Sequence, residues 1–393
     1  MLAIDRPPYP GLRPFERNES DLFFGRDDCV EAMVARLEKT RFLAVLGSSG
    51  TGKSSLVKTG LLTGLEMGPP AASRCRIVEF RPGGDAFGKL AEGLLKSESS
   101  ETEEVKPPAA EVEHLKARFK REGPRELIRW CRDGNLADGT NLLLVVDQFE
   151  ELFRYRSNDQ REEAQAFVSL LLESRWPRGV ATPGQAQIPI YVAITMRSEY
   201  LGACALMLGL AEAINEGTYL TPRMTREQCE EAIVGPALVC GVEIEDRLVT
   251  RLLNDMADFA PWEEQREGKD QLSRLARQAD QLPLMQYALN QMWRRANEAK
   301  QADEKQRPNE KIRLKLADYL GLENELDANG DKVYRNLNDE RLKATAETVF
   351  RAVTSGTTVA NATRRPMQFG ELVKICAEDS RNAVAAVINA TNR

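Results

Sequence analysis

The octapeptide Gly47-Ser48-Ser49-Gly50-Thr51-Gly52-Lys53-Ser54 matches the phosphate-binding loop pattern G-x-x-x-x-G-K-[ST] at every defined position. It constrains the fold because its flanks are also right. Arg41 to Leu46 (RFLAVL) is a short apolar run that reads as a buried strand, and Ser54 to Leu62 reads as the helix after it. The glycines let the backbone turn its N–H groups inward as a nest for anionic oxygens, and the helix N-terminus adds partial positive charge. Lys53 is placed to reach β- and γ-phosphates, and the Ser54 hydroxyl to be a ligand of Mg²⁺. A Gly/Ser-rich turn could match by accident, but strand and helix on both sides argue against it. The loop predicts binding of a nucleoside triphosphate.

A chain of 393 residues has room for two or three domains. Its net charge of −6 argues against general binding to nucleic acid or anionic membranes. Seven cysteines with no C-x-x-C pair, and His114 as the only histidine, argue against a structural or catalytic zinc site. The N-terminus lacks the layout of a signal peptide, and the most apolar stretch, Leu201 to Ala211, is too short to span a bilayer. These features read as a cytoplasmic chain with no membrane partner.

The N-terminal segment Pro7 to Phe15 is proline-rich and expected to be extended. Asp27 to Thr40 has helical spacing of apolar residues. Arg76 to Phe80 is a second candidate strand, and the acidic Ser97 to Glu111 reads as a mobile insertion. Helical sequence from His114 to Cys131, broken at Gly123-Pro124, precedes a third strand, Asn141 to Asp147. A helix at Glu162 to Trp176 and a strand at Ile188 to Met196 follow. The alternation predicts an α/β fold, a parallel sheet with helices on both faces. From about Thr225 the pattern is helical: Thr225 to Cys240, Glu245 to Phe259 and Gln271 to Lys300. Polar residues 301–311 and a turn at Asp327-Ala-Asn-Gly-Asp331 interrupt it, before helices at Arg341 to Val353 and Gly370 to Ile388.

Leu142 to Asp147 has the form of a Walker B strand, an apolar run ending in a carboxylate that holds Mg²⁺ opposite the loop serine. Ser54 and Asp147 are therefore the candidate metal residues. Hydrolysis needs a group that orients or deprotonates water, and Glu150 and Glu151 are the carboxylates just past the strand. Either could instead be a solvated residue opening a helix. Thr195 and Arg197 end the next strand at the same sheet edge, where a cation can feel a γ-phosphate; a surface arginine starting a helix is the alternative. Upstream, Phe23-Phe24-Gly25-Arg26-Asp27 can fold over a base or place a cation near phosphates, although Phe23 and Phe24 read better as core.

Together these segments resemble the STAND class of P-loop NTPases, and within it the novel STAND NTPase 1 group. The resemblance rests on Tyr9 to Phe15, Phe23 to Arg26, the loop Gly47 to Ser55, Val146 to Phe153, Thr195 to Tyr200, Tyr219 to Thr225 and Gln281 to Leu289. It implies a nucleotide-binding domain over 1–224 with a lead-in at 1–22, a helical domain over 225–312 and a winged-helix domain over 313–393. It also implies that Gly25 and Arg26 form the turn beside the nucleotide, although Cys29 replaces the expected acidic residue. Ser55 closes the loop set, and Arg197 matches the sensor arginine. Pro283 matches the proline that packs on adenine, with Gln281 where a glycine is expected; a proline at a helix N-terminus is the plainer reading, and the two are compatible. With no histidine in the last domain, Arg364 or Arg365 is the remaining candidate there for a β-phosphate contact, although a solvated basic turn is the plainer reading. The chain stops at Thr391-Asn-Arg393, within or just after the expected winged helix, as a fragment of a longer protein would.

The resemblance implies a slow ATPase switch using ATP, ADP and Mg²⁺, closed with ADP and self-associating with ATP, whose sensor and effector partners lie outside this sequence. Two rivals stand beside it: an AAA+ replication-initiator-like ATPase that binds DNA, and a nucleotide-binding scaffold without hydrolysis.

Overall fold

In a computed structural model of the chain, the phosphate loop follows an inner strand of a five-stranded, all-parallel sheet ordered β2-β3-β4-β1-β5. The strands are β1 (Phe42–Gly47), β2 (Cys75–Phe80), β3 (Asn141–Val146), β4 (Ile190–Arg197) and β5 (Thr218–Leu220). The structure describes residues 6–67, 75–96, 106–137, 139–154, 157–175, 189–257, 281–303, 311–337, 339–355, 363–364, 367, 369–376 and 381–391. These fall into two compact units, Arg13–Val239 and Cys240–Arg393 with Met1–Leu12.

Every residue of β1 and of β3 is buried, which is why both read as unbroken apolar runs rather than as alternating ones. The period of two still divides them between two cores. Phe42, Ala44 and Leu46, with Leu142, Leu144 and Val146, face a layer that includes Phe87, Leu90 and Phe167. Leu43 and Val45, with Leu143 and Val145, face Met33 and Leu37 of α1 (Asp27–Thr40) and Val57 and Leu61 of the helix after the loop. That helix opens at Lys53–Ser55, is π-wound over Leu56–Leu61 and closes at Leu62–Met67.

The helical sequence before β3 is interrupted at Gly123 (φ 56°), between Ala109–Glu122 and Pro124–Trp130. Of the acidic stretch 97–111, residues 97–105 lie outside the described residues, and Ala109 to Glu111 open a helix. In the same unit Phe23 packs with Phe15 and the α1 core, and the ring of Phe24 lies where a Cβ on Gly235 would come within 2.6 Å. Gly25 adopts φ +78°, and a Cβ there would meet Met224 Cε at 2.8 Å and press into the Gln228 carbonyl. Left-handed strain and overpacking add, so Gly25→Val should cost about 2–4 kcal/mol in urea unfolding of this unit. A cost below about 0.5 kcal/mol would show that the turn relaxes freely.

The second unit holds the helices Asp246–Ala257, Gln281–Asp303 and Leu322–Arg335 and a two-residue parallel pair, Glu243–Ile244 with Arg313–Leu314. The expected turn at 327–331 is corrected: those residues lie inside the helix Leu322–Arg335. Gly330 in a helix costs about 1 kcal/mol relative to alanine. Packing overrides that cost, because Glu325, only 1% exposed, takes a bidentate pair from Arg295 at 2.7 and 2.8 Å. The last residues form the helices Glu340–Val353, Phe369–Ile375 and Arg381–Thr391 with an antiparallel pair, Thr354–Ser355 and Thr363–Arg364. Arg365 lies outside the described residues. Among the described residues no helix is long and apolar enough to cross a membrane.

Candidate functional site

Parallel register decides which side chains meet. Gly47 is paired with Arg197, and Phe80 with Val146, so the residues that end β1, β2, β3 and β4 share one sheet edge. The phosphate loop begins there. Gly50 and Gly52 have φ of 75° and 83°, which glycine adopts without strain, and the loop residues from Ser48 to Ser55 are exposed or half-buried.

Lys53 Nζ donates to the carbonyls of Gly47 (2.9 Å) and Ser48 (2.6 Å), folding the side chain back over the loop. Burial pushes its pKa down, Glu150 pulls it up, and Arg197 pushes it down again. The Ser54 hydroxyl donates to Asp147 Oδ1 at 2.7 Å. The same oxygen accepts from the Thr195 hydroxyl, also at 2.7 Å, and Thr195 Oγ1 accepts from the Gln148 amide at 3.0 Å. Ser55 faces away from this edge chemistry: its Oγ accepts from the Phe15 amide at 3.2 Å. Thr51 donates to the Ser48 carbonyl at 3.0 Å, closing the loop on itself.

Glu150 and Glu151 are adjacent in sequence but differently placed. Gln148 takes φ 56°, an uncommon conformation for a residue with a Cβ, before the 3₁₀ turn Phe149–Phe153. Glu150 is then buried at 5% exposure, with Oε1 3.5 Å from Arg197 Nε and Oε2 without a hydrogen-bond partner among the described residues. Burial raises its pKa above the ordinary carboxylate value; hydrogen bonding from the Glu150 backbone, the Arg197 charge and backbone, and Lys53 oppose the rise. Glu151 instead accepts from the Gly83 amide at 3.1 Å and lies 4.0 Å from Arg154.

Arg26, buried at 5% exposure, donates to the carbonyls of Pro222 (2.8 Å) and Thr51 (3.2 Å). It thus ties the phosphate loop to the segment after β5. Pro283 belongs to the other unit, in the first turn of the helix Gln281–Asp303.

Two residues that sequence reading gave no role belong to this edge. Arg81, the first residue after β2, places Nε 3.1 Å from Asp147 Oδ2. Thr221 is buried beside the loop, its Cβ 3.5 Å from where Gly47 would carry one, and its hydroxyl has no partner among the described residues. Their signal was positional: both follow strands whose C-terminal ends must lie at the ligand edge of a parallel sheet.

The set suits a magnesium nucleotide. Mg²⁺ typically takes one or two protein oxygens and completes its shell with phosphates and water, and Ser54 and Asp147 present such a pair. No cluster of three His, Cys, Asp or Glu side chains occurs among the described residues. A buried carboxylate with an open oxygen, next to two cations, can accept a proton from water.

Residues 8–392 match the family model described as Novel STAND NTPase 1. No curated protein matches the chain in sequence. Among solved structures it is similar to the Aeropyrum pernix ORC1 protein in complex with DNA, at 13% identity and a TM-score of 0.46, over 95% of this chain and 85% of that one. The Walker-type ATPase of Pyrococcus abyssi is similar at 11% identity and a TM-score of 0.41, over 99% and 100%. The Thermotoga maritima RuvB Holliday junction branch migration motor is similar at 12% identity and a TM-score of 0.38, over 92% and 84%.

Proposed function

Since the chain belongs to the novel STAND NTPase 1 family, we propose that it is a slow, regulated ATPase switch that binds ATP and ADP with Mg²⁺. The observation that carries this reading is the convergence at one sheet edge of the loop lysine, the Ser54–Asp147 pair and the buried, half-unpartnered Glu150.

Lys53 leaves its loop carbonyls to neutralise β- and γ-phosphate oxygens, and the loop amides cradle them. Ser54 and Asp147 would hold Mg²⁺, which would supply charge stabilisation to the phosphoryl group when bound. Thr195 holds the Asp147 oxygen that Ser54 shares. Glu150 orients the attacking water and accepts its proton through Oε2, while Glu151 keeps its bond to Gly83 and serves the loop. Arg197, an exposed cation beside Glu150, responds to the γ-phosphate and to its loss. Arg26 and Gly25 fix the turn that braces the loop, and Pro283 contacts adenine as the family resemblance implies.

In this reading ADP favours a closed arrangement of nucleotide-binding, helical and winged-helix parts, the last over residues 313–393 as the family resemblance implies. ATP favours an open, self-associating one. A nucleotide shifts such an equilibrium only by its differential affinity for the two states. The test is to identify the nucleotide released on denaturing the purified chain, then to exchange it for a non-hydrolysable ATP analogue and follow mass by light scattering. ADP in the preparation and a mass increase on exchange are expected. A chain that arrives empty and takes up neither nucleotide would end the nucleotide reading; bound ADP without a mass change would end only the oligomerising part.

A further inference from the structure

The Asp147 carboxylate is 1% exposed and uses its two oxygens differently. Oδ1 accepts from the hydroxyls of Ser54 and Thr195, whereas among the described residues Oδ2 receives only the Arg81 guanidinium, at 3.1 Å. Arg81 itself is half exposed, so it reaches inward from the solvent side. Its backbone is held in place on both flanks. The Asp147 amide donates to the Phe80 carbonyl at 3.0 Å, and the Gly83 amide donates to Glu151 at 3.1 Å.

A guanidinium on one oxygen of a carboxylate has two physical effects. It fixes the plane of the group, leaving the other oxygen aimed at Ser54. It also supplies positive charge a few ångströms from where a divalent cation would sit, which weakens cation binding by direct repulsion and by neutralising the carboxylate. We propose that Arg81 is a positioning residue that holds Asp147 by its outer oxygen and lowers this edge's own affinity for divalent cations, so that Mg²⁺ enters together with nucleotide phosphates rather than before them. The proposal rests on the nucleotide and cation reading above. It accounts for Glu151 as well: the second carboxylate anchors the loop that carries Arg81.

The test uses the full chain and two probes. Mn²⁺ binding without nucleotide is followed by electron paramagnetic resonance, with Asp147→Asn identifying the signal from this edge. Binding of a fluorescent ADP analogue is followed in EDTA and across a Mg²⁺ titration. Arg81→Gln should tighten nucleotide-free Mn²⁺ binding by on the order of tenfold and lower the Mg²⁺ concentration needed with ADP. Arg81→Lys should stay near the parent, because the charge is kept. Affinity for the analogue in EDTA should change by no more than about twofold in either variant. Unchanged or weaker cation binding in Arg81→Gln, with ADP still bound, overturns the proposal alone. A parent that binds no ADP overturns the nucleotide reading, and this proposal with it.

Discussion

Lys53→Ala is expected to reduce affinity for both ADP and ATP by about 10²–10⁴-fold, the effect of losing two charge-assisted contacts of roughly 1.5–3 kcal/mol each. The lysine is the one loop side chain that carries charge, and its Nζ already lies across the carbonyls of Gly47 and Ser48, at the mouth of the nest. Truncation removes the charge that answers the phosphates and the clamp between strand end and loop. Stability should suffer little, because burial already works against this ammonium, as its lowered pKa records. Titration with a fluorescent ADP analogue measures the loss, and a circular dichroism melt separates it from unfolding. A variant that folds and binds nucleotide like the parent would leave the loop without its proposed role.

Glu150→Gln should lower phosphate release by about 10²–10⁴-fold while nucleotide affinity stays close to that of the parent. The amide keeps the size of the side chain and loses the capacity to take a proton. Glu151→Gln, which can still accept from the Gly83 amide through its carbonyl, should retain most of the turnover. The reverse ranking would move the base to Glu151. The pH dependence carries a second signature. Burial raises the Glu150 pKa above its ordinary value of 4.5, so hydrolysis should fall on an acid limb lying above that value.

The sign for stability follows from the same shift. A carboxyl whose folded pKa is raised contributes most below its unfolded value, and that contribution is lost as pH rises through the folded one. The ionised, buried form is therefore a cost at neutral pH. Glu150→Gln should raise the melting temperature at about pH 7 and change it little at about pH 3, below the unfolded value, where both states are largely protonated. Equal melting at both values would mean that water reaches Oε2 well enough to solvate the charge.

Much of the fold was legible because it is written in short-range patterns. A glycine-rich loop between an apolar run and a helix requires a strand–loop–helix unit, and runs apolar at every position require strands covered on both faces. The parallel sheet follows from their alternation with helices, and Asp147 at a strand end follows from the sheet. The turn expected at 327–331 failed because local composition was outweighed by packing: Glu325 and Arg295, thirty positions apart, hold a helix through a glycine.

The sequence by itself determined the phosphate loop, the class of sheet that carries it and the edge where its chemistry collects. Only the tertiary structure separated Glu150 from Glu151, through one left-handed residue, Gln148, that turns the first inward and the second toward Gly83. It also set Arg81 on Asp147, 66 positions away, and gave Arg26 the carbonyls of Thr51 in the loop and Pro222 after β5. The physical reason is that strand register and a single backbone dihedral choose the partners of long polar side chains. Neither leaves a mark in the local order of residues.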